Sequence, residues 1–237
     1  VIWPETAYPY GLARDAAWAP RGRRAFGAHG SLLAGVLTGR APCARWNSVV
    51  SVAPDGRLLG VSDKVELIPF GETVPLWSWL PPLQARFPCP GLRAAEAPVV
   101  LPAAGARVGV LNCYEDVLPR HARRVAAADP DFLVNVTNDA WFGRSAEPHL
   151  HDAVARVRAI ETRRDLLRAT NTGVSSHAAA TGARLAATET FVRAELETEA
   201  RLLSGTTPWV RYGDTTTPPL ALTLLLMAWA RRPRRPA

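Results

Sequence analysis

Residues 107–136 read RVGVLNCYEDVLPRHARRVAAADPDFLVNV. Arg107 to Leu111 is a short apolar run of the buried-strand type. Tyr114 to Ala128 sets Val117, Leu118, Ala122 and Val125 on one stripe at helical spacing, and Phe132 to Val136 is a second buried strand. Strand, helix and strand in succession argue for a layered α/β domain. The flanking sequence extends the alternation without an internal repeat. Ser31 to Gly39 is apolar, Trp46 to Val52 is β-branched and alternating, and Asp55-Gly56 supplies a hairpin turn into Arg57 to Val61. Trp77 to Arg86, rich in Pro and Trp, reads as a loop with a short helix. His151 to Leu166 reads as a second helix, and Leu167 to Leu202 as several short strands broken at Gly173 and Gly182.

A chain of 237 residues with 48% hydrophobic and 21% charged positions suits one globular domain and excludes a disordered one. The formal charge of +7 permits contact with nucleic acid or an anionic membrane surface. The arginines are dispersed and no recognition motif is present, which argues against nucleic acid. Lys64 is the only lysine among 28 basic residues. Arginine cannot imitate a compact, tunable point charge, so this one ammonium marks a candidate site. Cys43, Cys89 and Cys113 form an odd set with no CxxC and no His-rich partner spacing, which predicts neither a zinc site nor a full disulfide framework.

The ends read differently from the middle. Val1-Ile2-Trp3 is strand-like, without a secretory pattern, and has the character of mid-domain sequence. Thr215 to Ala230 is uncharged and apolar, followed by Arg231, Arg232, Arg234 and Arg235. As a helix it would be about 24 Å long, short of the roughly 20 residues a bilayer core needs. A marginal membrane segment and a buried terminal helix are both open, and the arginines favour the first, with the C-terminus cytoplasmic.

Candidate chemistry sits where the elements meet. Cys113 falls after a strand and on the first turn of a helix, where free N–H groups and the helix dipole favour a thiolate, predicting a thiol more acidic than an ordinary cysteine. The bland alternative is a small core residue, but Asn112, Tyr114, Glu115 and Asp116 are poor company for an apolar pocket. Glu5 follows an apolar strand and would project at its C-terminal end, beside the strand leading to Cys113, as a candidate base. Lys64 ends another strand and could set a positive charge on a developing oxyanion. Taken singly, a solvent-facing turn residue is the simpler reading of Glu5 and a solvated strand-end lysine that of Lys64.

In combination they are not bland. Trp3-Pro4-Glu5, then Asp63-Lys64 with Pro69-Phe70-Gly71-Glu72, then Cys113-Tyr114-Glu115 resembles the Glu-Lys-Cys triad of the nitrilase (carbon-nitrogen hydrolase) superfamily. Within it, Ile68 to Pro75, Thr137 to Gly143, Arg156 to Glu161, Arg168 to Gly173 and Thr207 to Asp214 are most similar to the apolipoprotein N-acyltransferase family. The resemblance implies a nitrilase-like α-β-β-α sandwich over residues 1–206, lacking its opening strand and helix. A junction, a short apolar membrane segment and a basic tail would follow over 207–237, and the chain would be the C-terminal part of a longer protein with a membrane bundle upstream. It also implies Cys113 as nucleophile, Glu5 as base and Lys64 as oxyanion partner, with Glu72, Glu115 and Tyr114 supporting. Trp141 and Phe142 would line the lipid entrance, with core packing as the competing reading.

The reaction so implied moves an acyl chain from a phospholipid donor to the N-terminal cysteine amine of a diacylglyceryl lipoprotein through a thioacyl enzyme, with no metal or organic cofactor and no nucleic-acid partner. Its place would be the bacterial inner membrane, periplasmic side. A soluble amidase or nitrilase using the same triad, and an inactive fragment, stay open at this point.

Overall fold

The computed structural model describes residues 1–14, 30–39, 41 and 43–230. The described strands form two sheets. Four strands, β1 (Ile2–Leu12), β2 (Leu32–Thr38), β3 (Trp46–Val52) and β4 (Leu58–Asp63), are ordered β1-β2-β3-β4, with β1 parallel to β2 and the rest antiparallel. The predicted turn at Asp55-Gly56 joins β3 to β4, with Gly56 at φ 87°, a value that suits glycine. After α1 (Pro81–Arg86) come β5 (Val100–Ala103) and β6 (Ala106–Asn112), then α2 (Pro119–Ala126), β7 (Phe132–Thr137), α3 (Glu147–Thr162), β8 (Leu166–Thr170), β9 (Ser176–Ala178) and β10 (Arg184–Ala187). These last strands form a six-stranded sheet, β10-β9-β8-β7-β6-β5, parallel only through β6-β7-β8.

The two sheets face each other over Leu33, Val49, Leu101, Val108, Val110, Val134 and Val136. Helices α2 and α3 cover the other face of the six-stranded sheet, where Ala122, Val125, Ala155 and Ala159 meet Leu111, Leu133 and Leu166. Small residues on both helices permit this close approach. The layered α/β fold is thus the one the alternation predicted.

Several expectations need correction. The helix predicted over Tyr114–Ala128 is two elements, a 3-10 turn at Cys113–Val117 and α2, because Pro119 has no N–H to continue a helix and instead opens the next one. The second helix starts at Glu147, not His151, and stops at Thr162, where Arg163 takes a left-handed φ of 53°. Cys43 and Cys89 form a disulfide across 46 residues, with a Cα separation of 5.3 Å. No sequence spacing rule reports such a pair, since the fold brings it together.

At the C-terminal end, α4 (Pro208–Tyr212) docks on the domain: the Arg123 guanidinium donates to the carbonyls of Trp209 and Val210, and the Thr207 hydroxyl to that of Glu161. The last helix, α5, covers Thr217–Ala230. Among the described residues no helix is long and apolar enough to cross a membrane. Arg231, Arg232, Arg234 and Arg235 lie outside the described residues.

Candidate active site

Glu5 lies inside β1, not at its end. The β1–β2 register is irregular between Trp3, opposite Ala34, and Tyr8, opposite Val36, so β1 carries a bulge, with Thr6 at φ 48°. Gly35 makes room for it: a Cβ there would stand 2.3 Å from the Pro4 carbonyl oxygen and 2.5 Å from the Glu5 Cα. Nor does β1 neighbour the strand leading to Cys113. It belongs to the other sheet and lies over β7 and β8, so Glu5 reaches Cys113 across the sandwich.

Lys64 follows β4, as expected, with its N–H donating to the Asn47 carbonyl at 2.8 Å. Its side chain is wholly buried. The ammonium is 2.9 Å from both carboxylate oxygens of Glu72 and 3.6 Å from Glu5. Burial would lower its pKa, but the charges of Glu5 and Glu72 and the hydrogen bond to Glu72 outweigh this and raise it, so Lys64 is an ammonium at neutral pH.

Cys113 opens the 3-10 turn with a φ of 53°, unusual for a residue with a Cβ and a mark of a strained elbow. Its carbonyl accepts from the Asn135 amide at 3.2 Å. The thiol lies against the Thr137 hydroxyl and the Asn138 backbone N–H. Burial pushes the thiol up to about 11, the Glu5 charge adds to this, and Lys64, Thr137 and Asn138 oppose it without winning. The expectation of an acidified thiol is therefore reversed, because desolvation in this enclosure outweighs the favourable N–H groups. The resting pair is a thiol beside the Glu5 carboxylate, and attack by sulfur requires a base to take its proton.

Glu115 anchors two segments. Its carboxylate accepts from the N–H groups of Val65 at 2.6 Å, Glu66 at 3.0 Å and Asn112 at 2.8 Å, and His121 lies at 3.3 Å. Burial alone would raise its pKa; the His121 and backbone hydrogen bonds reverse this and lower it. It thus ties the residues after Lys64 to the residue before Cys113. Tyr114 is partly exposed, and Trp141, at 81% exposure, is not core packing. Phe142, 38% exposed, sets its ring edge-on to His151 at a centroid distance of 6.0 Å.

Asn47 is the residue that sequence reasoning missed. Its amide donates to Glu5 at 2.5 Å and to Glu72 at 2.9 Å, while its side-chain oxygen accepts from Asn112 at 3.1 Å. One amide thus joins both carboxylates around Lys64 to the neighbour of Cys113. The signal was an amide side chain within the β-branched run Trp46 to Val52, which read only as strand. Among the described residues no group of His, Cys, Asp and Glu could hold a metal ion.

A carboxylate, a lysine ammonium and a cysteine thiol thus converge between two sheets. Residues 1–202 match the carbon-nitrogen hydrolase family, and the chain belongs to it. The chain is similar to the apolipoprotein N-acyltransferase of Geobacter metallireducens, 35% identical over 229 residues, covering 90% of this chain and 42% of the relative. It is 37% identical to that of Azotobacter vinelandii over 245 residues, covering 99% and 46%. The chain thus spans under half the length of these relatives. In fold it is similar to a carbon-nitrogen hydrolase from Helicobacter pylori, with a TM-score of 0.53, 18% identity, and 67% of this chain and 57% of that one covered. An amidase from Nesterenkonia sp. gives a TM-score of 0.53 at 17% identity, covering 82% and 66%.

Proposed function

We propose that this chain is the carbon-nitrogen hydrolase part of an apolipoprotein N-acyltransferase, with residues 1–206 as its catalytic domain and 207–237 leading into the membrane. The observation that carries the reading is the chain's only lysine buried as an ammonium against Glu5 and Glu72, with the Cys113 thiol in the same enclosure.

In the first half-reaction Glu5 takes the thiol proton as the sulfur attacks an acyl ester carbonyl of a phospholipid. The Lys64 ammonium and the Asn138 N–H face the developing oxyanion. The ester C–O bond breaks, the lysophospholipid oxygen leaves with the proton held by Glu5, and a thioester stands on Cys113. In the second, the N-terminal amine of a diacylglyceryl lipoprotein attacks the thioester. The C–S bond breaks, the amine proton passes to Glu5 and on to sulfur, and an amide is formed. Glu72 holds Lys64 in place, Glu115 aligns the two loops, Tyr114 supports the site from the turn that Cys113 opens, and exposed Trp141 and Phe142 meet the acyl chain. The place of action is the inner membrane of a bacterium, with the catalytic domain on the periplasmic side.

The test is to incubate the chain with vesicles of fluorescent phospholipid, and separately with small amides, and to read Cys113 by mass spectrometry. A thioester from phospholipid that is lost in Cys113→Ser supports the proposal. Amide hydrolysis without lipid acylation overturns it in favour of an amidase, and acyl transfer that persists in Cys113→Ser overturns the assignment of Cys113.

A further inference from the structure

Beneath Cys113 lies a buried ionic cluster that the reaction scheme does not use. His151 on α3 stands between two fully buried carboxylates, with Nε2 2.8 Å from Asp116 and Nδ1 2.9 Å from Asp139. Arg168 on β8 donates to the same two carboxylates, to Asp139 at 3.2 Å and to Asp116, and also to the Asn135 side-chain oxygen at 2.8 Å. A neutral imidazole has one N–H and one lone pair, and a lone pair aimed at a carboxylate oxygen is repelled. With both ring nitrogens on carboxylates that also accept from Arg168, the charged pairing has His151 donating twice as an imidazolium. Asp116 and Asp139 then face His151 and Arg168 in a buried site, with Arg158 beside Asp116 paired to Glu161, and the loss of the imidazolium proton leaves a buried carboxylate charge uncompensated.

The cluster holds the pieces that surround the nucleophile. Asp116 belongs to the turn that Cys113 opens. Asp139 opens the next 3-10 turn, Asp139–Phe142, directly after Asn138, whose N–H faces the thiol. Asn135, oriented by Arg168, donates to the Cys113 carbonyl. Gly173 leaves space for Asp139, since a Cβ there would stand 1.9 Å from its carboxylate oxygen. Asn171 accepts from the Asp139 N–H at 3.1 Å and donates to the Asn138 side chain at 2.5 Å. The same turn presents Trp141, and Phe142 rests on the His151 ring.

We propose that His151 is a positioning residue for acyl transfer: as an imidazolium it clamps Asp116 to Asp139, and so holds the Cys113 elbow, the Asn138 N–H and the Trp141-Phe142 turn in one geometry. The inference rests on the acyl-transfer reading for its activity readout only. The charged groups facing this clamp are Asp116 and Arg158 from the turn and from α3, Asp139 from the second turn, and Arg168 from β8. Burial and the Arg168 charge work against the imidazolium, but the hydrogen bonds and charges of the two aspartates prevail and put its pKa at about 9. The clamp is therefore complete at neutral pH and is lost as pH rises through that value.

The experiment follows the histidine resonances of the full chain, labelled with 13C-histidine, from pH 6 to 10, with His151 assigned by His151→Gln. His151 should stay an imidazolium through neutral pH and titrate near 9. Single-turnover acylation of Cys113 should fall about tenfold between pH 8 and 10 with that midpoint. In His151→Gln it should be about 10²-fold slower at pH 7.5, as expected for misplaced reacting groups, with no alkaline limb. A His151 that titrates near an ordinary histidine value, or a variant that keeps the wild-type limb, overturns the proposal. Alkylation of Cys113 by iodoacetamide needs no acyl substrate; below the thiol's own value of about 11 its rate climbs about tenfold per pH unit, and it should break from that slope at the His151 midpoint. If the variant does not fold, coincidence of the wild-type resonance and alkylation midpoints supports the clamp, and separate midpoints overturn it. A chain that makes no thioester at all overturns the acyl-transfer reading alone, because resonance and alkylation still decide the clamp.

Discussion

Replacing Lys64 by methionine removes the ammonium while nearly keeping the buried volume, and it isolates what the charge does. Glu5 and Glu72, at 3.6 and 2.9 Å from the ammonium, would be left in one enclosure, joined through Asn47 with no cation between them. At an effective dielectric of 20, a pair 4 Å apart interacts by about 4 kcal/mol, and much of this is cancelled by the desolvation of both partners. What is measured when one member of a buried pair is removed is about 3–5 kcal/mol of lost stability. For a chain of this size that corresponds to a fall in Tm of roughly 6–20 °C. The sign with pH follows from the anions left behind: the variant should recover stability as pH falls and one carboxylate protonates. Thioester formation should drop at least about 10²-fold, the usual cost of losing an oxyanion partner. Lys64→Arg restores charge but brings a longer, planar group into a space with no exposure, so it should restore part of the stability and little of the rate. Urea denaturation from pH 5 to 8, combined with single-turnover acylation, checks both. Wild-type stability and rate in Lys64→Met, or a wild-type rate in Lys64→Arg, would refute the reasoning.

Glu5→Gln keeps the size of the side chain but removes the proton acceptor, and since the neighbouring thiol is pushed up to about 11, acylation and transfer to the amine should both slow, with little loss of stability because Glu72 still pairs with Lys64 at 2.9 Å; rapid thioester formation at an unchanged Tm would show that another group is the base. Alkylation of the denatured, unreduced chain should modify Cys113 alone, and after reduction all three cysteines, with reduction costing about 2–4 kcal/mol in chemical denaturation for a loop of this length. Glu115 is held below its ordinary pKa, so its contribution is present above about pH 4.5 and lost as pH falls through the native value; Glu115→Gln should be less stable at pH 7 and show a shallower acid dependence, and identical pH–stability curves would contradict the anchoring role.

Most of the architecture was legible because hydrophobic period is a local property. The runs at Arg107 to Leu111 and Phe132 to Val136, and the turn at Asp55-Gly56, are each decided by residues within a few positions, and they became β6, β7 and the β3–β4 hairpin. Glu5, Lys64 and Cys113 were also legible as candidates, Lys64 because it is the chain's only lysine. What the sequence could not state is how these residues meet. Glu5 and Cys113 come from different sheets, and the bulge that aims Glu5 depends on a glycine in the next strand. Asn47 joins residues 42 and 65 positions away, and the Cys43–Cys89 bond closes 46. The thiol's acidity was misread for the same reason: the turn that favours a thiolate is local, but the burial and the Glu5 charge that prevail over it exist only once the two sheets pack. Chain periodicity therefore determined the layers, while contacts across them decided the protonation states and the geometry of the candidate site.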